Sequence, residues 1–395
     1  MHPKINFTYS FSIFKICKYF FAFLLLSCNS PKDTSLQFSK SISPIVFNLQ
    51  KDTLQNKDTG ERLVNAKSCQ TCHKEVYENW FNSRHRVAFT NELYHDSHER
   101  EPMTWCINCH APFINKGDNI DNPNLRLQKE DGISCNVCHV REGKVLVSKL
   151  PSINQNRKSL LHDYKINTEM DKSALCANCH QFNFPTILSS KDKSKFAYSH
   201  LPMQNTVGEF EASYFKLYGE CQSCHLERDT SRTHKFSGGH DKERLADSIF
   251  ITGEKIGTHT VLLSVLSVGI GHSFPTGDLF RALKIKIKDS KTKLLLAELI
   301  LKKDYQLTQM STNARTDSPA MHLVSDTTIP PATNDNASSK TFTIQISDKV
   351  MLLEAELYMD YLHGINRTQT KIPIENTILP FKKVKIELKE SDSHG

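Results

Sequence analysis

The clearest pattern in the chain is a regular alternation of apolar and polar residues in its C-terminal third. The alternation starts near residue 258 and is sharpest over 283–288, 342–346 and 384–389. A period of two is typical of strands with one buried and one solvent-facing side. The apolar segments VLLSVLSV, KLLLAELIL and LLEAELY bring the expected total to six or more strands. The pattern predicts an all-β, immunoglobulin-like sandwich over residues 249–395, interrupted by a long polar connection over 306–340.

The N-terminus has a different pattern. A segment with three lysines runs into the apolar stretch FFAFLLLSC, which is too short to cross a membrane as a helix. A basic segment followed by a short apolar one is typical of a secretory signal. The stretch ends in LLSC, which resembles a bacterial lipobox, so residues 1–27 are expected to be removed and Cys28 acylated. An ordinary signal peptide is the alternative. Residues 28–60 are polar and predict a flexible tether.

Cysteines dominate the segment between these two parts. Ten of the eleven cysteines outside the predicted signal peptide form five C-x-x-C pairs, each followed directly by histidine. On a helical turn, positions i, i+3 and i+4 share one face. Two thiols can therefore form thioethers with the vinyl groups of one haem while the histidine reaches its iron. The five motifs are Cys69, Cys72 and His73; Cys106, Cys109 and His110; Cys135, Cys138 and His139; Cys176, Cys179 and His180; and Cys221, Cys224 and His225.

A single C-x-x-C pair would also suit a zinc ribbon or a redox disulfide. Five pairs, each with its own histidine, favour haem, and the sequence predicts five covalent c-type haems. The motifs start 37, 29, 41 and 45 residues apart, which leaves little chain to build a protein core around each haem. We therefore expect a mainly α-helical and irregular multihaem cytochrome c domain over residues 61–248, with the haems forming its core.

The net charge does not point to nucleic acid. Removal of the signal would lower the formal charge from +7 to +4, because three lysines and no acidic residues would be lost. Five haems would add propionate groups and bring the protein close to neutral or below. An exported protein also has little access to nucleic acid, so no nucleic-acid partner is expected.

Each iron has room for a second axial ligand, and His85 is the first candidate. It follows His73 by twelve residues, which is about 18 Å along a helix. Two ligands of one iron each lie about 2 Å from it. His73 and His85 on one helix therefore cannot share a metal, and His85 as a ligand must reach a different haem. An exposed helix histidine is the alternative.

The C-x-x-C-H motif followed by W-x-x-S-x-H, with Trp80, Ser83 and His85, resembles the multihaem cytochromes related to the nitrifier tetrahaem cytochrome and hydroxylamine oxidoreductase. The segments CINCHAP, DGISCNVCH, MQNTVGEFEASYFKLYGECQSCH and HKFSGGHD are similar to the same group, and the resemblance covers about residues 66–245. It implies that His85 is the distal ligand of a later haem. The fifth motif departs from the tetrahaem pattern, so the remaining ligands cannot be transferred as a set.

Four more histidines are candidates for distal ligands. His200, His234 and His240 flank the fifth motif, although each could equally be a surface histidine. His272 lies in VGIGHSFPTGD, where glycines allow a close approach of the backbone and a proline fixes the turn. A solvent-facing turn histidine is the alternative. The segment also resembles the β-domains of multihaem cytochromes in which the first strand ends in G-H-x-F-P-T-G.

The function predicted from these features is electron transfer outside the cytoplasm by a membrane-anchored lipoprotein, on the periplasmic face or at the outer membrane. Its partners would be other cytochromes or quinol-linked membrane complexes. A multihaem oxidoreductase acting on a small nitrogen or sulfur compound at one open haem is the alternative. All five motifs end in histidine rather than in the lysine that marks the catalytic haem of pentahaem nitrite reductases. A binding protein with structural haems is a third class.

Overall fold

The computed structural model of the chain describes residues 51–57, 59–114, 118–119, 121–150, 162–187, 196–226, 233–308, 320–334, 336–365 and 367–390. The predicted signal peptide, Cys28 and the first part of the predicted tether lie outside these ranges. Across the described residues, no helix is both long enough and apolar enough to span a membrane.

The N-terminal region, residues 51–248, consists largely of short helices, and the longest in the described ranges has nine residues. Four of the C-x-x-C-H motifs end a helix, and the first lies across the junction of two. Single 3₁₀ turns occur at Pro123–Leu125, Thr168–Asp171 and Tyr214–Leu217. The α-helices are α1 Lys67–Gln70, α2 Lys74–Phe81, α3 Glu92–Arg100, α4 Thr104–His110, α5 Arg126–Asp131, α6 Cys135–His139, α7 Ser173–His180, α8 Thr206–Glu211, α9 Cys221–His225 and α10 Lys242–Ser248.

This region also contains strands that the sequence pattern did not predict, so the expectation of a mainly helical and irregular domain is correct only in part. Two of the strands directly follow motif helices, because the chain leaves the motif histidine in an extended conformation. The strands are β1 Leu54–Gln55 with β2 Arg62–Leu63; β3 Val140–Arg141, β4 Lys144–Val147 and β5 Tyr164–Ile166; and β6 Gln181–Ile187 with β7 Phe196–Asn205.

The end of the predicted tether belongs to the folded region. Thr53 and Leu54 are buried, and the amide of Gly143 donates a hydrogen bond to the carbonyl of Lys51 over 2.9 Å. Lys57 forms an ion pair with Asp163 over 2.6 Å. Residues 51–57, at the end of the predicted tether, therefore pack against the β3–β5 sheet and the residues that lead into it.

The C-terminal region, residues 249–390, begins at the residue after α10. Two four-stranded sheets have the strand orders β11-β10-β15-β16 and β14-β9-β8-β17. Neighbouring strands are antiparallel, except that β17 is parallel to β8. Strands β12 and β13 form a separate two-stranded sheet, and a short helix α11 spans Ile374–Thr377. The strands are β8 Ile249–Gly257, β9 Thr260–Ser267, β10 Ala282–Asp289, β11 Leu295–Leu301, β12 Lys303–Thr308, β13 Ala320–Asp326, β14 Ser339–Gln345, β15 Leu352–Asp360, β16 Ile378–Glu387 and β17 Lys389–Glu390.

Side chains from both sheets form one hydrophobic core. Leu283, Ile285 and Ile287 on β10 are fully buried, as are Val261 and Leu263 on β9. The lysines between the buried residues of β10 point the other way, as the alternation predicts. The region therefore has the two packed sheets expected of a β-sandwich, and its immunoglobulin-like topology stays a prediction.

Two features of the strands were not evident from the alternation. Strand pairing begins at Ile249, nine residues before the alternation becomes evident, because Gly253 and Gly257 interrupt the pattern of β8. A Cβ at Gly253 would lie 3.1 Å from Ile386 of the other sheet, so close packing favours glycine there. The polar connection expected over 306–340 also contains strand residues. Strands β12 and β13 are antiparallel, with Lys303 opposite Asp326 at one end and Thr308 opposite Ala320 at the other.

Candidate haem sites

The five motifs define five candidate haem sites, numbered 1 to 5 in chain order. All ten of their cysteines are free thiols, so each remains available for a thioether bond. At sites 2 to 5, both cysteines and the histidine lie in the last turns of α4, α6, α7 and α9, respectively. At site 1, α1 ends at Gln70 and His73 is the residue before α2. Each site therefore presents two sulfurs and one imidazole from the same short segment.

Hydrogen bonds orient the motif histidines. Nδ1 of His110 donates to the carbonyl of Ala88 over 2.7 Å, and Nδ1 of His225 donates to the carbonyl of Ser237 over 2.8 Å. His139 forms a hydrogen bond with the backbone carbonyl of Leu146. A proton on Nδ1 leaves the lone pair of Nε2 free, which is how a metal-binding imidazole is normally held.

Three motif histidines face a second imidazole. The ring centres of His180 and His85 are 6.3 Å apart, those of His139 and His234 are 6.0 Å apart, and those of His225 and His272 are 6.2 Å apart. The planes of the last pair differ by only 9°. Every ring contact between two histidines in the described residues joins one motif histidine to one histidine outside the motifs.

These separations fit an iron between each pair of rings. An iron–nitrogen bond of about 2 Å, with the ring centre about 1.1 Å behind the nitrogen, places two opposed imidazoles about 6 Å apart. Ordinary aromatic pairs occupy a similar range of distances. Here each pair joins one motif histidine to one histidine outside the motifs, and two free thiols lie beside each motif histidine. Two imidazoles and two thiols are the donor set of a bis-histidine c-type haem. The residues at sites 3, 4 and 5 therefore fit this cofactor.

Burial keeps these imidazoles neutral at pH 7. It lowers the pKa of His85 to about 3, with help from the nearby charges of His180, His225 and His234. Burial is also the main reason why the pKa values of His139, His180 and His225 fall to about 4. A neutral imidazole is the form that binds a metal.

The W-x-x-S-x-H element explains how His85 reaches site 4. Helix α2 ends at Phe81, so the single helix considered from His73 to His85 does not form. The indole of Trp80 donates to the carbonyl of Ile133 over 2.8 Å. Gly132 comes so close that a Cβ there would lie 2.7 Å from the carbonyl of His85. The backbone around His85 is therefore held against the segment that leads into the third motif.

Two other candidates have different surroundings. His200 is exposed on β7, and within the described residues no ring contact joins it to a motif histidine. The ring of His240 stacks on Tyr361 with centres 4.1 Å apart. Its pKa falls to about 2, mainly through burial and then through the charges of Arg281 and Arg84. The structure thus brings His85, His234 and His272 to motif histidines but leaves His200 and His240 apart from them.

His162, a histidine that the sequence analysis did not single out, is a candidate partner of site 1. Nδ1 of His162 is buried, and no other residue in the described ranges forms a hydrogen bond with it. Burial lowers its pKa, and the charge of His73 lowers it further. His162 lies just before β5, whose pairing with β4 the sequence did not reveal. Its only sequence signal was its place between the third and fourth motifs.

Site 2 differs from the other sites. The ring of Tyr94 stacks on that of His110. The ring centres are 4.0 Å apart, and the planes differ by 18°. The Tyr94 hydroxyl is buried without a hydrogen-bond partner in the described residues. The charge of His98 also reaches His110, but no ring contact of His110 with another histidine occurs in the described ranges.

Sulfur atoms of different sites lie side by side. Cys69 of site 1 is within hydrogen-bonding range of Cys135 of site 3, and Cys176 of site 4 is within range of Cys221 of site 5. Cys109 of site 2 makes the same contact with Cys179 of site 4. The charge of Cys179 also reaches Cys138, which links site 3 to site 4. The five sites therefore form one connected array, in the order 1-3-4-5 with site 2 joined to site 4.

Comparisons with known proteins agree with this architecture. Residues 68–140 match the family described as cytochrome c554 and c-prime. Among solved structures, a penta-heme cytochrome c552 from Thermochromatium tepidum superimposes with a TM-score of 0.62, at 18% sequence identity, over 82% of this chain and 98% of that one. No curated protein matches the chain significantly. The chain thus has the fold of a multihaem c-type cytochrome, and this fold includes much of the β-rich region.

Proposed function

We propose that the protein carries five covalent c-type haems outside the cytoplasm and transfers electrons between redox partner proteins. The observation that supports this most is that cysteine thiols of successive sites interact, through hydrogen bonds between sites 1 and 3, 4 and 5, and 2 and 4, and through charge between sites 3 and 4. When bound, c-type haem supplies a reversible one-electron couple at each site. The chain supplies two thioether sulfurs and a motif imidazole per site, and buries the imidazoles so that they stay neutral.

Mass spectrometry of the mature protein tests the number of haems. Five haem additions are expected, and replacement of Cys221 and Cys224 by serine should lower the number to four. Four or fewer additions in the unaltered protein would mean that one motif does not bind haem. A redox titration should then resolve five one-electron steps at low potential, because histidine ligation gives lower potentials than methionine ligation.

The axial pairs of the proposal follow the ring contacts. His85 would bind with His180, His234 with His139, and His272 with His225. His162 would bind with His73, because the charge of His73 acts on this imidazole and Nδ1 of His162 is buried. His200 and His240 receive no axial role in this scheme. A low-spin electron paramagnetic resonance spectrum with four bis-histidine components is expected.

Membrane attachment is a separate part of the proposal. Cys28 would carry lipid and hold the protein at the periplasmic face or at the outer membrane, near cytochromes or quinol-linked complexes. The support comes from the LLSC sequence. Substitution of Cys28 by alanine should move the protein from the membrane fraction to the soluble fraction. Unchanged membrane association would contradict the lipid anchor and leave the haem proposal unaffected.

Site 2 supports a second candidate function, that of an oxidoreductase for a small nitrogen or sulfur compound. The specific observation is that Tyr94, rather than an imidazole, is stacked against His110. An iron with one protein ligand would be open to a small molecule. Carbon monoxide added to the reduced protein should then bind once per molecule. Failure to bind at any site would exclude this function and favour the carrier.

A further inference from the structure

A buried carboxylate holds the turn that carries His272. Glu209, on α8, is only 8% exposed. It accepts hydrogen bonds from the amide of Ser273 over 3.2 Å and from the hydroxyl of Thr276 over 2.7 Å. Lys303, at the start of β12, forms an ion pair with the same carboxylate. The N-terminal region therefore contacts the turn through the Glu209 carboxylate, and both of its oxygens have partners.

These contacts lead directly to the imidazole. Nδ1 of His272 donates to the carbonyl of Ser273 over 2.9 Å, and the amide of the same Ser273 donates to Glu209. On the other side of His272, a Cβ at Gly271 would lie 2.9 Å from the ring of Phe210. Adjacent residues of α8 thus fix the backbone on both sides of the histidine. The result is an imidazole nearly parallel to that of His225.

The charges of this pair are also close to the site. A buried ion is costly unless it is paired and hydrogen-bonded, and Glu209 meets both conditions. Ser273 joins the carboxylate to the imidazole, since its amide donates to Glu209 and its carbonyl accepts from Nδ1 of His272, and Lys303 pairs with the same carboxylate. Both charges therefore act at the position of the imidazole, with opposite signs.

We propose that Glu209 is a positioning residue for axial ligation at site 5, and that Glu209 and Lys303 together set the reduction potential of that site. The inference rests on the proposed function, in which His225 and His272 bind one iron. Oxidised iron carries one more positive charge than reduced iron, so a nearby carboxylate favours the oxidised state and a nearby ammonium favours the reduced state.

Single substitutions test the effect of charge. In the holoprotein, Glu209→Gln should shift the potential of one haem in the positive direction, and Lys303→Met should shift the same haem in the negative direction. A redox titration followed by electron paramagnetic resonance measures both. Glu211→Gln is the matched control, because Glu211 lies on the same helix but pairs with Lys216 over 2.7 Å. It should leave all five potentials unchanged.

Two double variants test positioning at constant net charge. Glu209→Gln with Lys303→Met keeps an oxygen that can accept from Ser273, and should retain the spectrum of the parallel imidazoles. Glu209→Ala with Lys303→Met removes the acceptor, and should alter the g-values of one low-spin haem while five haems stay attached. Because neither double variant buries an unpaired charge, the test does not depend on the folding of the single variants.

The outcomes separate this inference from the proposed function. If His272→Ala makes one haem high-spin while the Glu209 and Lys303 variants change neither a potential nor a g-value, the inference is overturned and the axial pairing stands. If His272→Ala changes the spin state of no haem, the pairing of His225 with His272 is overturned, and the inference with it. Shifts of opposite sign in the two single variants would support the inference, whereas shifts of the same sign would contradict it.

Discussion

The N-terminal and C-terminal regions differ in how they fill their interiors. The C-terminal region is centred on a cluster of 23 buried apolar residues, which spans both sheets and includes Leu245 of α10. In the N-terminal region, the larger of the two clusters found among the described residues contains five. Burial of apolar side chains is the main favourable term in folding. The comparison indicates that one region has a core of protein side chains, whereas the other depends on its cofactors for much of its core.

Loss of haem attachment should produce the largest effect, and it should fall on one region. If all ten motif cysteines are replaced by serine, residues 61–248 should lose protection against hydrogen exchange, since little apolar surface remains to order them. The strands β8–β16 should stay protected, because their hydrophobic core contains no residue of the haem-attachment motifs. Mass spectrometry of exchanged peptides measures both regions in one sample. Equal loss of protection in both would contradict the comparison.

Substitution of Ile285 by alanine should have the converse effect. Ile285 is fully buried in the core between the sheets, so its truncation should cost about 2–5 kcal/mol of the free energy of unfolding of that region. Thr343→Ala, at an exposed position of β14, is the control and should change stability by less than about 0.5 kcal/mol. Denaturant unfolding followed by circular dichroism provides the energies. If haem absorption changed in the same transition as the unfolding of the C-terminal region, the two regions would not have separate cores.

Much of this comparison could be predicted from the sequence. The alternation of Leu283, Ile285 and Ile287 with lysines has a direct physical cause, since successive residues of a strand face opposite ways. The C-x-x-C-H motifs are equally local, because attachment of a haem needs only one turn of chain. Both signals lie within a few residues and do not depend on the rest of the fold.

The histidines that face the motif histidines were harder to predict, because these pairs depend on contacts between distant segments. His85 and His272 carried local signals, namely the W-x-x-S-x-H element and a rigid turn. His162 carried none, since its place near His73 depends on the pairing of β4 with β5. His200 and His240 were favoured only because they flank the fifth motif, and in the described residues no ring contact joins either to a motif histidine. Glu209 was missed because a lone carboxylate in a helix gives no sign of what it will contact.

Substitution of His272 should affect both regions, but to a smaller extent. His272 belongs to the C-terminal region and faces His225 of the N-terminal region. His272→Ala should convert one haem to the high-spin state and make the C-terminal region more sensitive to proteolysis. His259→Ala, at an exposed position between β8 and β9, is the control. Added imidazole should restore the low-spin spectrum without restoring resistance to protease, because it replaces the ligand but not its link to the chain.

The smallest expected effect concerns two glutamates, one in each region. Glu220 precedes α9 and accepts hydrogen bonds from the amide and hydroxyl of Ser173, over 2.9 and 2.7 Å. Burial raises its pKa, but these bonds and the charge of Lys216 outweigh burial and lower the pKa to about 2. Glu356, on β15, reaches a pKa of about 2 through Lys288 and Tyr358. Both therefore stabilise the folded chain as carboxylates.

The sign of the pH dependence follows from these pKa values. Because both are lower in the folded state than the ordinary value of 4.5, the stabilisation is complete above about pH 5 and is lost as the pH falls towards 2. Glu220→Gln should remove about 1 kcal/mol near neutral pH, the usual contribution of a helix cap, and should lower the stability of site 5 without altering the C-terminal core. Glu356→Gln should reduce only the stability of the C-terminal region. Unfolding of both variants between pH 7 and pH 3, followed by haem absorption and by circular dichroism, measures the difference. If Glu356→Gln shifted the haem transition as much as Glu220→Gln does, the two regions would share one cooperative unit, because only coupled folding can carry the loss of a surface ion pair on β15 to the haem sites.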